Sequence, residues 1–91
     1  MSGRGEITWT RRDEETGEKF QVCAQMTGNR WDFFIRHRRF DNWQPHPQPP
    51  LEDWLELLDG VQRRVQRRLQ RPESLVIVRK LIRERFPEAE V

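Results

Sequence analysis

Apolar and polar residues alternate along three segments in the first half of the chain, at residues 6–12, 18–26 and 30–40. A period of two places successive side chains on opposite faces of a β-strand, so this pattern predicts three strands that share one apolar face. Turn-forming residues at 13–17 separate the first two strands, and Gly28 with Asn29 suits a two-residue hairpin between the second and third. The order predicts an antiparallel meander.

The hairpin at residues 28–29 also predicts a register between strands two and three, because it keeps every apolar pair on one face. The expected pairs are Thr27 with Arg30, Met26 with Trp31, Ala24 with Phe33, and Val22 with Ile35. Between strands one and two, the expected pairs are Trp9 with Phe20, Ile7 with Val22, and Arg11 with Glu18. The apolar face is therefore expected to carry the core of the sheet.

The second half of the chain is predicted to be helical. Residues 44–50 are rich in proline and are expected to form a stiff, extended connector. Apolar residues then recur every three or four positions over 51–70, with acidic residues at the start and arginines at the end, which is typical of an amphipathic helix. A second helix is predicted over 73–86. The apolar run at 75–79 also fits a short fourth strand, and the sequence leaves both interpretations open.

These elements predict an α+β fold, βββαα, in which a three-stranded antiparallel meander is followed by two helices packed on one face of the sheet. At 91 residues, the chain is long enough for a single domain spanning 1–91. The polar ends at 1–5 and 88–91 are expected to fray.

Composition narrows the cellular context. The chain has one cysteine, Cys23, so an internal disulfide is excluded, and its first ten residues lack the apolar core of a signal peptide. The longest uninterrupted apolar run, at 75–78, is far shorter than the roughly 20 residues that span a bilayer. We therefore expect a cytoplasmic protein and do not expect membrane binding to be its role.

Positive charge is unevenly distributed, and most of it is arginine. Residues 1–60 carry 8 basic and 11 acidic side chains, whereas 61–91 carry 9 and 4. Guanidinium groups recognise phosphates and carboxylates, although genome composition or a simply solvated surface also explains such a bias. Two surfaces are candidates for binding. The first is the outer face of strand three with its neighbour Lys19, and the second is the end of the first helix. Their residues are Lys19, Phe34, Arg36, Arg38 and Phe40, and Arg63, Arg64, Arg67 and Arg68.

The sequence contains no recognisable catalytic motif. Cys23, His37, Asp41 and His46 are the only ingredients for a transition-metal or histidine-based site, and their spacing matches no ligand signature. We therefore predict no enzymatic activity, no metal and no cofactor. The expected role is a small interaction module that contacts a protein, either an unknown partner or a second copy of itself. The alternative is single-stranded nucleic acid, with bases stacked on Phe34 and Phe40 and phosphates bound by the neighbouring cations.

Overall fold

The computed structural model describes residues 6–28, 30–38 and 41–91. The chain divides into two compact units, Met1–Gln48 with the strands and Pro49–Val91 with the helices. The predicted α+β class is confirmed, with an antiparallel sheet and two helices. That the helices cover the sheet stays a prediction. The elements are β1 (Glu6–Arg12), β2 (Lys19–Thr27), β3 (Arg30–Arg36), β4 (Gln44–Pro45), α1 (Leu51–Gln66) and α2 (Glu73–Arg85).

The register between β2 and β3 is confirmed residue by residue. Thr27 pairs with Arg30, and Val22 pairs with Ile35 at the other end of the apolar row. Gly28 follows Thr27 with φ at 63°, a left-handed conformation that a glycine adopts without steric cost. A two-residue hairpin therefore sets this register, as the sequence predicts.

The predicted register between β1 and β2 is wrong by two residues. Trp9 pairs with Val22 rather than with Phe20, and Arg11 pairs with Phe20. The turn explains the difference, because the Asp13 N–H donates to the Glu18 carbonyl at 2.8 Å and so extends the ladder closer to the loop. A shift by an even number keeps each side chain on its predicted face.

The sheet has four strands in the order β1-β2-β3-β4, so the predicted count of three is corrected. The additional strand lies in the segment expected to be a connector, where Gln44 pairs with Ile35 and Pro45 with Phe34. Hydrogen-bonded and non-hydrogen-bonded pairs alternate in an antiparallel ladder. The His46 N–H donates to the Phe33 carbonyl at 2.9 Å, so the ring nitrogen of Pro45 points away from β3 and no hydrogen bond is lost.

Strand β3 ends at Arg36 rather than continuing to residue 40. A turn reverses the chain here, because the Asp41 N–H donates to the Arg38 carbonyl at 2.9 Å and the Asp41 carboxylate accepts the Arg38 N–H at 3.1 Å. Arg38 therefore lies in a bend outside the sheet, and Phe40 lies outside the described residues. The reversal returns the chain alongside β3 and forms β4.

Side chains on one face of the sheet are mostly buried, and we call this the apolar face. Val22 and Ala24 are fully buried, and Trp31 and Phe33 nearly so. The Trp9 ring meets Phe33 edge-on, with centroids 6.1 Å apart. At 25 cal/mol per Å², each large apolar side chain buried here contributes roughly 1.5–3 kcal/mol. This face therefore supplies most of the apolar burial of the first unit.

In the second unit, α1 and α2 lie against each other. Buried apolar side chains follow the helical period on both, with Trp54, Leu57 and Val61 on α1 and Val78 and Ile82 on α2. The apolar run at residues 75–79 is helical, so the helical interpretation is confirmed and the alternative of a fourth strand there is wrong. The predicted stripes are therefore buried in part: Trp54 and Val61 are buried as expected, whereas Leu55 and Leu69 are exposed and Leu57 is buried.

Helix α1 ends at Gln66, four residues before its predicted end. Arg68 takes the left-handed conformation with φ at 60°, its N–H donates to the Val65 carbonyl, and the Leu69 N–H donates to the Arg64 carbonyl at 2.8 Å. This is a Schellman motif, which satisfies the last carbonyls of a helix and stops it. Periodicity does not reveal this end, because glycine is the usual signal and arginine stands in its place.

Helix α2 ends at Arg85, one residue before its predicted end, and Phe86 caps it ahead of Pro87. The restriction that a proline places on the preceding residue accounts for this end. Beyond it, the Arg83 side chain donates to the Val91 carbonyl at 3.1 Å. The predicted fraying of residues 1–5 lies outside the described residues.

Candidate functional site

The sheet face opposite the apolar face carries most of the candidate residues of the first unit, and we call it the polar face. Because side chains alternate along each strand, the pairing registers assign its members. From β1 they are Glu6, Thr8, Thr10 and Arg12, from β2 Lys19, Gln21, Cys23, Gln25 and Thr27, and from β3 Arg30, Asp32, Phe34 and Arg36.

Charge is graded along the polar face. Arg12 and Lys19 pair at one end, while at the other end the row of Glu6, Gln25 and Asp32 is followed by Arg30, whose Nε lies 3.3 Å from Asp32 Oδ1. The rows between them are mostly uncharged, with Arg36 beside Gln21 as the exception. The end with Arg12 and Lys19 therefore favours anionic partners, whereas at the opposite end the Asp32 carboxylate is paired with Arg30.

Arg36 is held in a defined position on the polar face. Its Nε donates to Gln21 Oε1 at 2.8 Å, and its guanidinium carbon lies 4.3 Å from the centroid of the Trp43 ring. Strand β4 makes this contact, because Gln44 pairs with Ile35 and so brings Trp43 next to Arg36. The alternation of polar and apolar residues does not place Trp43 in the candidate site, since nothing in the pattern reveals that residues 44–45 pair with β3.

Cys23 is the buried thiol of the polar face and lies beneath Glu6. Its Sγ donates to Glu6 Oε2 at 3.3 Å, and Gln25 Nε2 donates to the same oxygen at 3.0 Å. Burial raises the pKa of the Cys23 thiol to about 11; a hydrogen bond with Thr8 opposes the rise, and the Glu6 carboxylate adds to it. The thiol is therefore protonated at neutral pH and is a poor nucleophile.

The structure brings together some of the predicted strip on strand three and separates the rest. Phe34 and Arg36 lie two residues apart on the polar face of β3 and are half-buried, whereas Lys19 is exposed at the start of β2. Arg38 is exposed in the bend after β3, outside the sheet. Phe40 lies outside the described residues, so the strip is described without its second aromatic ring.

The predicted arginine flank of the first helix is likewise divided. Arg63 and Arg64 lie in the last turn of α1, and Arg63 forms a 2.8 Å ion pair with Asp59 one turn earlier. Arg67 is the C-cap and Arg68 follows it, so these two residues are not on the helix as predicted. An exposed ion pair of this type contributes little to stability.

The outer edge of β1 is a feature that the predicted site residues do not include. Among the described residues, β1 pairs with β2 alone. Asp13 and Glu18 form a hydrogen-bonded pair at the turn. Because hydrogen-bonded and non-hydrogen-bonded pairs alternate along an antiparallel ladder, the odd-numbered residues of β1 make the backbone hydrogen bonds with β2. The two-residue hairpin between Thr27 and Arg30 implies the same alternation from the other side of β2. The backbone groups of Thr8 and Thr10 therefore point away from the sheet.

This β1 edge, defined by residues 6–12, is accessible and regular. Thr8, Thr10 and Arg12 are exposed, and the seven residues contain no proline, glycine or interruption of the register. The opposite edge is the two-residue strand β4 with Pro45, a form that resists strand pairing. The predicted meander order already places the first strand at an edge of the sheet. It does not show which of the two edges resists strand pairing.

The part of the chain that the structure describes contains no group of three or more His, Cys, Asp or Glu side chains that could hold a metal ion. None of its helices has the length and apolar character needed to cross a membrane.

The chain was compared with known proteins. No protein family model, no curated protein and no solved structure matches it. Function is therefore inferred from the geometry of the polar face and of the β1 edge.

Proposed function

We propose that this protein is a non-catalytic interaction module that binds a protein segment by adding a strand at the β1 edge. The supporting observation is that Thr8 and Thr10 are exposed on the outermost strand with their backbone N–H and C=O groups directed outward. An extended segment satisfies such groups with main-chain hydrogen bonds, and its alternate side chains contact both faces of the sheet. The raised pKa of the Cys23 thiol accords with a role without nucleophilic chemistry.

The test is selection of binding peptides from a random library displayed on phage, followed by binding to matched variants. Thr8→Pro removes one outward N–H and leaves the bonds between β1 and β2 in place, whereas Thr8→Val keeps the N–H. We expect selected peptides to bind the wild type and Thr8→Val, to lose binding to Thr8→Pro, and to slow amide exchange at Thr8 and Thr10. Peptides that bind Thr8→Pro as tightly as the wild type would refute the proposal.

A second candidate function is binding of single-stranded nucleic acid on the basic part of the polar face. The observation that favours it is the stacked pair of Arg36 and Trp43 beside the half-buried ring of Phe34. Aromatic rings and guanidinium planes are the surfaces on which unstacked bases lie, and Lys19 and Arg38 would contact phosphates.

This candidate is tested by titrating a fluorescent oligonucleotide at low and moderate salt. Binding through phosphates weakens steeply as salt is added. We expect the double variant Lys19→Glu and Arg38→Glu to lose binding, because both side chains are exposed and neither contributes to the apolar face. The matched control is the double variant Arg63→Glu and Arg67→Glu, which reverses two charges in the helical unit. Equal losses in both double variants would indicate nonspecific attraction to positive charge rather than a site on the sheet.

A further inference from the structure

We infer that the strand taken up at the β1 edge is β1 of a second copy, paired antiparallel about a two-fold axis through Trp9. This inference rests on the proposed function and names its partner. The result is a symmetric dimer in which the two four-stranded sheets form one continuous sheet.

Backbone geometry restricts how two β1 strands can pair. Outward groups belong to the even-numbered residues, so an even residue of one copy must face an even residue of the other. An axis through Trp9 meets this condition, because it places Thr8 of one copy opposite Thr10 of the second. These two residues form a hydrogen-bonded pair, and the symmetry produces it twice. An axis between two residues would place even residues opposite odd ones and is excluded.

The side chains of β1 are complementary to themselves in this arrangement. The sequence Glu-Ile-Thr-Trp-Thr-Arg-Arg places Glu6 opposite Arg12 of the second copy at both ends of the paired segment. Thr8 faces Thr10, and the two Trp9 rings lie side by side at the axis. Opposite charges, threonine pairs and aromatic pairs are the cross-strand combinations that stabilise antiparallel strands.

The other registers allowed by the backbone lose this complementarity. An axis through Thr8 places Glu6 opposite Thr10 and leaves Arg12 opposite a residue outside β1. An axis through Thr10 places Trp9 opposite Arg11 and leaves Glu6 without a strand residue opposite it. Only the axis through Trp9 pairs all seven residues of β1 and places Glu6 opposite Arg12 at both ends, with Ile7 facing Arg11 between them.

The faces of the sheet are also compatible with this dimer. A two-fold axis perpendicular to the sheet joins the apolar face of one copy to the apolar face of the other. Trp9 lies on that face, half-buried, with its ring already oriented by the edge-on contact with Phe33. Glu6, Thr8, Thr10 and Arg12 lie on the polar face, so each predicted cross-strand pair joins side chains of the same face.

The experiment exchanges charges and measures mass by sedimentation over a range of concentrations. Arg12→Glu and Glu6→Arg each place like charges opposite one another twice, so each variant alone should dimerise at least about tenfold more weakly than the wild type. An equimolar mixture restores both pairs, since position 6 of one variant then faces position 12 of the other. We expect the mixture to form a heterodimer. Weakened self-association that mixing does not rescue would overturn the register.

A second measurement covers the case in which Glu6→Arg disturbs the contacts of Glu6 with Cys23 and Gln25. Residues at the axis form a non-hydrogen-bonded pair with Cα atoms about 4.5 Å apart, a distance that a disulfide spans. Trp9→Cys should therefore form an interchain disulfide on mild oxidation, while Leu69→Cys, exposed in the helical unit, should not. Equal cross-linking of the two variants would refute the paired β1 strands.

The outcomes separate this inference from the proposed function. A wild type that is monomeric at all concentrations overturns self-pairing, while loss of selected peptides by Thr8→Pro still supports strand addition by another protein. A dimer that persists unchanged in Thr8→Pro overturns self-pairing at β1, and peptide binding that also persists in that variant overturns strand addition itself.

Discussion

The guanidinium of Arg36 lies over the ring of Trp43, 4.3 Å from its centroid, although the two residues are seven positions apart in the chain. The contact exists because the Asp41 N–H donates to the Arg38 carbonyl, where the chain reverses, and because β4 pairs with β3. The contact therefore depends on β4, the strand that the alternation pattern does not predict.

The stacked pair predicts a measurable coupling energy. Replacing Arg36 with Gln and Trp43 with Leu, singly and together, should give a coupling of about 0.5–1 kcal/mol in the free energy of unfolding by urea. The matched pair Arg38→Gln and Trp43→Leu should be additive, because Arg38 is exposed in the bend. Additivity of both pairs would contradict a stabilising contact between Arg36 and Trp43.

The buried Cys23 thiol is expected to make the stability of the protein depend on pH above neutrality. The pKa of its thiol is raised to about 11 in the folded chain, whereas an unfolded cysteine ionises near pH 8.5. Between about pH 9 and 11, the unfolded chain therefore loses this proton and the folded chain keeps it, so the free energy of unfolding falls as pH rises.

The measurement is urea unfolding at a series of alkaline pH values, with Cys23→Ala as the control. The variant lacks this contribution and should show a flatter profile over the same range. The chain contains no tyrosine, so thiolate absorbance can also be followed without interference from phenolate. An identical slope in both proteins would show that Cys23 does not titrate as its burial implies.

Glycine in place of Arg68 is expected to stabilise the end of α1. Its φ of 60° imposes steric strain on a residue with a Cβ atom, and glycine adopts this conformation freely. Arg68→Gly should raise the free energy of unfolding by about 0.5–1 kcal/mol. At the preceding position, Arg67→Gly should lower it, since Arg67 has an ordinary φ of −90°. Thermal or urea denaturation of both variants tests the pair.

The side chain of Asp13 is expected to stabilise the turn that sets the register of β1. Its Oδ1 accepts the N–H groups of Glu15 at 2.8 Å and of Thr16 at 3.2 Å. Asp13→Ala should lower the free energy of unfolding by about 1 kcal/mol, since both hydrogen bonds are lost. Glu14→Ala, in the same exposed loop, serves as the control. Equal stabilities of the two variants would show that the turn does not depend on these bonds.

Local patterns predict the parts of this fold that depend on neighbouring residues. Alternation reveals β1, β2 and β3, helical spacing reveals α1 and α2, and the hairpin at Gly28 correctly predicts the register between β2 and β3. These features follow from the covalent geometry of the chain, since side-chain direction has a fixed period in a strand and in a helix. The α+β class is therefore determined by the sequence pattern alone.

Contacts between distant residues decide the rest. Pro45 does not look like a strand residue, and only the pairing with Phe34 makes it the edge of the sheet. The end of α1 depends on hydrogen bonds that Arg68 permits by adopting a strained conformation, which no propensity reveals. The open β1 edge likewise depends on which strand lies at each side of the sheet. A sequence specifies period and propensity locally, whereas edges, helix ends and cross-strand partners depend on which distant backbone groups find hydrogen bonds.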